Sequence, residues 1–344
     1  MAKRIGICRA LHAYHHYAFW QAFFSGLGWE VVLSAPTSRR MIEQGVRLSP
    51  SELCLPVKAF LGHVAELKDN VDALFLPRIV CTKVAGDWFF GCPKAIALPD
   101  LTRAVFESLP LVVEPVLDGQ IRTDEKSFRA AVSGIDRKAD VRSAYRSASA
   151  AARAATQRTR DEGSPLHMFS ERGPRAEDRR AGDRHEKREA RSERIVTRRP
   201  SSVSRHSVVK IGVVGHPYLL FDSGLSLDVL DEVKEAGGRP VVVFPTEADV
   251  ASESRQQDAL NWYYELELLA AARRLLEIEK VDGLLLVASF ACGTGAVTNE
   301  LIQRAAVHRH GVPTILLLLD EHTGEAGLVT RIESFVDLLR LRKR

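Results

Sequence analysis

Apolar positions along this chain follow two spacings. Short runs rich in Val, Ile and Leu alternate with longer stretches in which apolar residues recur every three or four positions. The first pattern predicts buried strands and the second amphipathic helices. In the first part, KRIGIC, WEVVLSAP, VDALFLPRIV and PLVVEPVLD read as strands, and LHAYHHYAFWQAFFSGLG, TSRRMIEQG and PVKAFLGHVAELKD as helices. The last of these carries its proline in the first turn, where no amide donor is needed. The later part repeats the grammar, with strands VVKIGVVG, RPVVVFP, VDGLLLVASF and VPTILLLLDE. Between and after them, SLDVLDEVKEAGG, NWYYELELLAAARRLLEIEK, VTNELIQRAAVHRHG and LVTRIESFVDLLRLRKR have helical spacing. Apolar strands alternating with helices imply parallel sheets covered on both faces. The expected class is therefore α/β, with two doubly wound Rossmann- or flavodoxin-like domains at 1–124 and 207–344.

The segment between them has a different composition. Residues 125–160 are rich in Ala, Arg and Ser and read as one or two helices. Residues 161–206 hold the charged run ERGPRAEDRRAGDRHEKREARSERIVTRRP, and such a stretch buries too little to offset its ordering entropy. A helical linker followed by a disordered insertion is expected over 125–206. Its charges also explain the net charge of +4, since residues 171–200 carry 11 Lys+Arg and 7 Asp+Glu. The remainder is balanced, so nothing draws the folded part to nucleic acid.

No apolar run approaches membrane-spanning length. MAKRIGIC enters a strand at once and lacks the apolar region of a signal peptide. Five cysteines, odd in number and widely spaced, do not form a disulfide framework. A reducing cytoplasm is the expected setting.

Three of these cysteines stand out. Cys54 in SELCLPVK, Cys92 in GCPKAIALPD and Cys292 in SFACGTGA each lie in a loop just before a helix, 38 and 200 positions apart. They meet only if the two halves fold together, and three thiolates without a local CxxC suit an iron–sulfur cluster with one iron partly open. A helix start is expected to favour the thiolate at Cys292. The aromatic run DWFFG before Cys92 is a candidate water shield. Zinc, with His63, His216 or His322 as fourth ligand, is the other metal these residue types allow. Cys8 and Cys81 read as small apolar residues.

Other groups collect at predicted strand ends, where open parallel sheets place their functional loops. His216 follows VVKIGVVG, Ser289 ends VDGLLLVAS, and Asp320, Glu321 and His322 follow VPTILLLL. The last three are able to orient one another or relay protons, or are ordinary turn residues. His12, His15 and His16 share a helix face, read here as helix surface. CGTGAV and GHPYLLFD are too incomplete for a nucleotide fingerprint.

IGICRALHAYHHYAFWQAFF, GVRLSPSELCLPVKAFLGHV, FLPRIV with GCPKAIALPDL, GHPYLLFD, SFACGTGA and DEHTGEAGLVTRIESFVDLL together resemble the 2-hydroxyglutaryl-CoA dehydratase D-component family. They are more similar still to its activase-associated relatives, the CoA-substrate-specific enzyme activase-related proteins. The resemblance covers residues 4–124 and 208–340. It implies two Rossmann-like domains with a [4Fe–4S] or larger double-cubane cluster between them, held by Cys54, Cys92 and Cys292. It implies one-electron chemistry on a CoA-thioester substrate, as in 2-hydroxyacyl-CoA dehydration, or reduction of a small molecule. A separate ATP-dependent activator ATPase would supply the electron, and the chain would work as a homo- or heterodimer. A non-catalytic, activase-associated interaction subunit is the alternative. Glu321, His322 and His216 become catalytic candidates. Lys58, Lys94 and Ser289, with Glu52 and His63, become candidates for contacts around the cluster or substrate. The charged insertion departs from the family pattern.

Overall fold

The computed structural model describes residues 2–119, 121–137, 139–169, 208–256 and 260–343, with backbone alone at 121–123. The first half forms β1 (Arg4–Ile7), α1 (Ala13–Gly26), β2 (Glu30–Leu33), α2 (Arg39–Leu48), α3 (Leu55–Leu67), β3 (Ala73–Phe75), β4 (Arg78–Ile79), β5 (Cys81–Val84) and β6 (Asp87–Phe90). It continues with α4 (Pro93–Ile96), α5 (Leu98–Val105), β7 (Leu111–Val113), β8 (Val116–Leu117), α6 (Ile121–Ser133) and α7 (Val141–Glu162). The second half forms β9 (Val209–Val214), α8 (Pro217–Leu220), α9 (Ser223–Ser226), α10 (Val229–Glu235), β10 (Gly238–Val241), α11 (Glu247–Ser254) and α12 (Tyr263–Glu277). β11 (Gly283–Ser289), α13 (Gly293–Arg304), β12 (Thr314–Leu319) and α14 (Glu325–Arg342) complete it.

Two four-stranded parallel sheets result, in the orders β2-β1-β3-β7 and β10-β9-β11-β12. The orders are equivalent, second-first-third-fourth in each half. Each sheet is covered on both faces. Ile5, Ile7, Phe75 and Val113 pack with Trp20, Phe23, Phe24 and Phe128, while Leu74 and Leu76 pack with Val57, Leu61 and Val64. In the second sheet, Ile211, Val213, Leu285 and Leu317 face Val233 and Phe335, while Leu284 and Leu286 face Leu269 and Leu275. The parallel α/β class is the observed one.

The two halves share a core. Ile42 of α2 and Leu55 and Ala59 of α3 are buried in the cluster that covers the second sheet. α2 and α3 approach each other backbone to backbone at two glycines. A Cβ on Gly45 would lie 1.7 Å from the Lys58 carbonyl oxygen, and one on Gly62 would lie 2.1 Å from that of Met41. Without these glycines α3, which begins right after Cys54, would be pushed out of the seam between the sheets.

Three local readings change. VDALFLPRIV and PLVVEPVLD are each broken in two, at Pro77 and Pro115, because proline has no amide to give the ladder. The run ending in DWFFG is one strand of the antiparallel hairpin β5–β6, turned by Ala85 (φ 51°) and Gly86 (φ 108°). Its aromatics clasp the second half. Phe89 is buried with Val250, Leu266 and Ala270, and the Phe90 amide donates to the Asn261 carbonyl at 2.6 Å. The expected disordered insertion at 161–206 lies outside the described residues from 170 on. Residues 161–169 are ordered, because Met168 and Phe169 are buried against Tyr14 and Tyr17 of α1. Among the described residues no helix is long and apolar enough to cross a membrane.

Candidate functional site: a three-thiol seam

Cys54, Cys92 and Cys292 each occupy the N-cap position of a helix: α3, α4 and α13. Extended backbone at each cap (ψ 152°, 132° and 102°) turns the chain into the helix. Pro56 and Pro93 fix the first turns of α3 and α4. His216 caps α8 in the same way, ahead of Pro217. The structure brings the three thiols within electrostatic range of one another.

One side chain joins all three loops. Lys94 stands two residues after Cys92, and its Nζ donates to the Glu52 carbonyl at 2.7 Å and to the Ala291 carbonyl at 2.9 Å. Those carbonyls lie just before Cys54 and Cys292. A second tie runs from the Leu55 amide to Ser289 Oγ at 3.1 Å. Ala291 itself sits at φ 62°, a left-handed backbone that a non-glycine residue adopts at a cost. Cys292 follows directly on this strained turn and opens α13.

Burial pushes the Cys54 thiol up to about 11, helped by the neighbouring Cys292. Burial also raises Cys292, with Glu265 adding to it. Amides at Val57 and Gly295 point at these sulfurs and favour the thiolate, but lose to burial. The helix start therefore does not make Cys292 a ready thiolate, contrary to the expectation from sequence. Gly295 leaves room for that sulfur, since a Cβ there would sit 3.0 Å from Cys292 Sγ.

A polar chain leads away from Cys292. Its Sγ is 3.7 Å from Thr294 Oγ1, which donates to Glu265 Oε1 at 2.6 Å, and that oxygen is 3.4 Å from His216 Nε2. The His216 ring stacks on Tyr218, which is half-buried within electrostatic range of all three thiols. Glu265 was not singled out in the sequence. It lies in the first turn of α12, where an acidic residue is ordinary, and only the docking of that helix makes it significant.

The remaining candidates disperse. Glu321 turns to Lys58, 2.5 Å away, in an ion pair that spans the two halves. His322 is exposed, its amide donating to Asp320 Oδ1 at 3.0 Å, and Asp320 also accepts from Thr323 at 2.8 Å. Asp320 and Glu321 are thus engaged by Thr323 and Lys58, with His322 within electrostatic range of both. Glu52 is exposed and contributes its carbonyl. His63 has both ring nitrogens engaged, by Ser34 Oγ at 2.8 Å and Thr37 Oγ1 at 2.9 Å, which removes it as a zinc ligand. Cys81 donates to the Asp118 carbonyl at 3.4 Å, and Cys8 is buried, its thiol pushed up by burial and then by the Glu66 charge. Among the described residues, no group of three or more His, Cys, Asp or Glu side chains is arranged to hold a metal ion.

His12, His15 and His16 are not helix surface. They pack between the two halves against α12. His12 stacks on Tyr264, and His15 Nε2 is 3.4 Å from Glu267 Oε2.

No curated protein matches the chain. A family model described as a CoA enzyme activase uncharacterised domain matches residues 4–244, a span that holds Cys54, Cys92, Lys94 and His216 but not Cys292 or Glu265. The match takes in all of the first sheet and the opening strands of the second, well over half of the sequence, and by it the chain belongs to the CoA enzyme activase uncharacterised domain family.

Proposed function

We propose that the chain is a cluster-bearing redox subunit serving a CoA enzyme, with Cys54, Cys92 and Cys292 as ligands to one iron–sulfur cluster. The observation that carries this reading is Lys94, whose two hydrogen bonds bind the Cys92 helix to the loops of Cys54 and Cys292. A cation joining three cysteine loops from two lobes suits an anionic centre between them.

The donor set fits such a group. Three soft sulfurs face one seam, two of them with backbone amides aimed at sulfur, and Gly295 leaves space beside the third loop. A cluster gives each thiolate its own iron, so its ligands stand farther apart than those of a single ion. A one-ion site, absent among the described residues, is not what such a cluster requires. When bound, the cluster would supply one-electron transfer and an open iron able to act as Lewis acid.

The chain's own residues have separable tasks. Lys94 and Ser289 hold the ligand loops together. Tyr218 covers the thiols from within. His216, oriented by Glu265, is the group placed to carry a proton near them; Glu321, committed to Lys58, and exposed His322 are not. Because burial holds Cys54 and Cys292 protonated, metal loading at these two releases protons and strengthens as pH rises. In this reading the electron comes from a separate ATP-dependent activator ATPase, and the dehydratase-like reaction on a CoA thioester is its most specific form.

Anaerobic purification or reconstitution with iron and sulfide tests the reading. Iron and acid-labile sulfide with a reducible brown chromophore are expected in the wild type and in Cys81→Ser, and lost in Cys292→Ser. Equal loss from both variants, or a colourless zinc protein, would overturn it.

A further inference from the structure

A closed circuit of buried polar side chains joins the two halves. Its members are Arg9, Tyr14, Ser34, Thr37, His63 and Asp222, each less than a tenth exposed. The Arg9 amide donates to Ser34 Oγ at 2.8 Å, Ser34 Oγ is 2.8 Å from His63 Nδ1, and His63 Nε2 is 2.9 Å from Thr37 Oγ1. Thr37 bonds Asp222 Oδ2 at 2.5 Å, from the first half to the second. Tyr14 accepts from the Arg9 side chain, which has only donors, and donates to Asp222, which closes the circuit. The backbones also meet here, since a Cβ on Gly224 would lie 2.3 Å from the Thr37 carbonyl oxygen.

Two hydrogen arrangements satisfy this circuit. With Asp222 ionised, Thr37 donates to it, so Thr37 Oγ1 accepts from His63 and the imidazole hydrogen stands on Nε2. His63 Nδ1 then accepts the Ser34 hydroxyl. With a proton on Asp222, Thr37 is the neighbour able to accept it. The Gly224 amide, 3.1 Å from Oδ1, only donates, and Arg9 holds Tyr14 as a donor. Thr37 then donates to His63 Nε2, the imidazole hydrogen stands on Nδ1, and Ser34 accepts it. The hydrogen of Ser34 itself leaves the chain for the cleft of about 1790 Å³ that Ser34 lines. The imidazole is neutral in both arrangements, because burial and then Arg9 hold His63 at about 3. Burial raises Asp222 to about 6, against the Thr37, Tyr14 and Gly224 bonds and the Arg9 charge. Both arrangements therefore fall close to neutral pH.

We propose that this circuit is a proton-operated switch between the halves: the charge on Asp222 sets the tautomer of His63, and Ser34 offers the cleft a hydroxyl donor only when Asp222 is protonated. The change balances along bonds already present. A proton entering from the cleft at Ser34 sends the Ser34 hydrogen to His63 Nδ1, the Nε2 hydrogen to Thr37 and the Thr37 hydrogen to Asp222. Each group but Asp222 ends with as many hydrogens as it began. The switch stands apart from the iron–sulfur reading, because it uses no cysteine and needs no cluster.

The test is long-range ¹H–¹⁵N correlation of the histidine rings in the full-length, ¹³C,¹⁵N-labelled chain, with His63 assigned through its backbone. Spectra are compared at about pH 7 and about pH 5, on either side of the Asp222 value. His63 should carry its hydrogen on Nε2 at the higher pH. At the lower, the Nδ1–H form should prevail about ten to one, with the Asp222 carboxyl carbon titrating over the same range. In Asp222→Asn the amide nitrogen donates to Thr37 as the protonated acid does, so His63 should stay Nδ1–H at both pH values. In Thr37→Val the chain is cut, and His63 should no longer respond to pH. One and the same tautomer of wild-type His63 at both pH values overturns the proposal. So does an Nε2–H tautomer in Asp222→Asn, or an undiminished response in Thr37→Val. Should either variant fail to fold, the wild-type spectra decide alone.

Discussion

His16 Nε2 stands 2.9 Å from the hydroxyl of Tyr264, so the first helix over one sheet is bonded to the first turn of α12 over the other. The contact is desolvated and crowded with like groups. Burial holds His16 at about 3, with His15 also lowering it and Glu267 opposing. His12 is lowered too, by burial and then by His16, His15 and His216. A histidine with a depressed folded-state value binds fewer protons folded than unfolded. Stability is then full above its ordinary value of 6.5 and falls as pH drops from there toward 3. Asp222 acts oppositely. Raised by burial from 3.8 to about 6, it keeps in the fold a proton that the unfolded chain releases, and favours the fold as pH falls through that window. His16→Gln should therefore flatten the wild-type loss of unfolding free energy between pH 7 and pH 5, by about 1–2 kcal/mol at the acid end, with a correspondingly smaller fall in Tm. Parallel melting curves for the two proteins would show that the histidine seam is not responsible.

Lys94 offers a test of the thiol seam that needs no metal. Lys94→Met leaves the Glu52 and Ala291 carbonyls without their charged donor. A loss of about 2–3 kcal/mol in urea unfolding is expected. In the metal-free, reduced protein, alkylation of Cys292 should also speed up relative to Cys8. Lower stability with unchanged alkylation would reduce Lys94 to a general prop.

The Lys58–Glu321 pair has side chains only 5% and 18% exposed. Removing one partner strands a buried charge, so Lys58→Met should cost about 3 kcal/mol. Lys58→Met with Glu321→Leu should regain most of that loss, because the second change removes the stranded carboxylate. A double variant as weak as the single one would mean that the pair acts through its packing.

Gly62→Ala and Gly45→Ala both drive a methyl into backbone carbonyls of the facing helix. Losses above about 3 kcal/mol, or failure to fold, are expected. Gly134→Ala meets open space and should be neutral within about 0.5 kcal/mol by the same denaturation assay.

Much of this was legible along the chain. The strands of both sheets announce themselves in runs such as KIGVV and GLLLVAS, because a strand buried on both faces must be apolar throughout. Cys54, Cys92 and Cys292 were identifiable from proline or glycine context and from a position just before a helix. The histidines were misread for a definite reason. HAYHH looks like the wet start of an amphipathic helix, and only the arrival of α12 with Tyr264 and Glu267 turns that face into a seam. DEHT read as a cluster, and only the tertiary structure shows that Glu321 is taken by Lys58 of the other half while Asp320 bonds Thr323.

What the sequence alone determined is local: strand and helix periodicity, the breaks at proline, and the helix-start positions of the three cysteines, all set by interactions between near neighbours. Tertiary structure decided which loops share a space. Lys94 reaches Ala291 across 197 positions and Thr37 reaches Asp222 across 185. Such pairings leave no periodic trace in a single chain, because they depend on how two sheets dock around α2 and α3 and not on the spacing within either half.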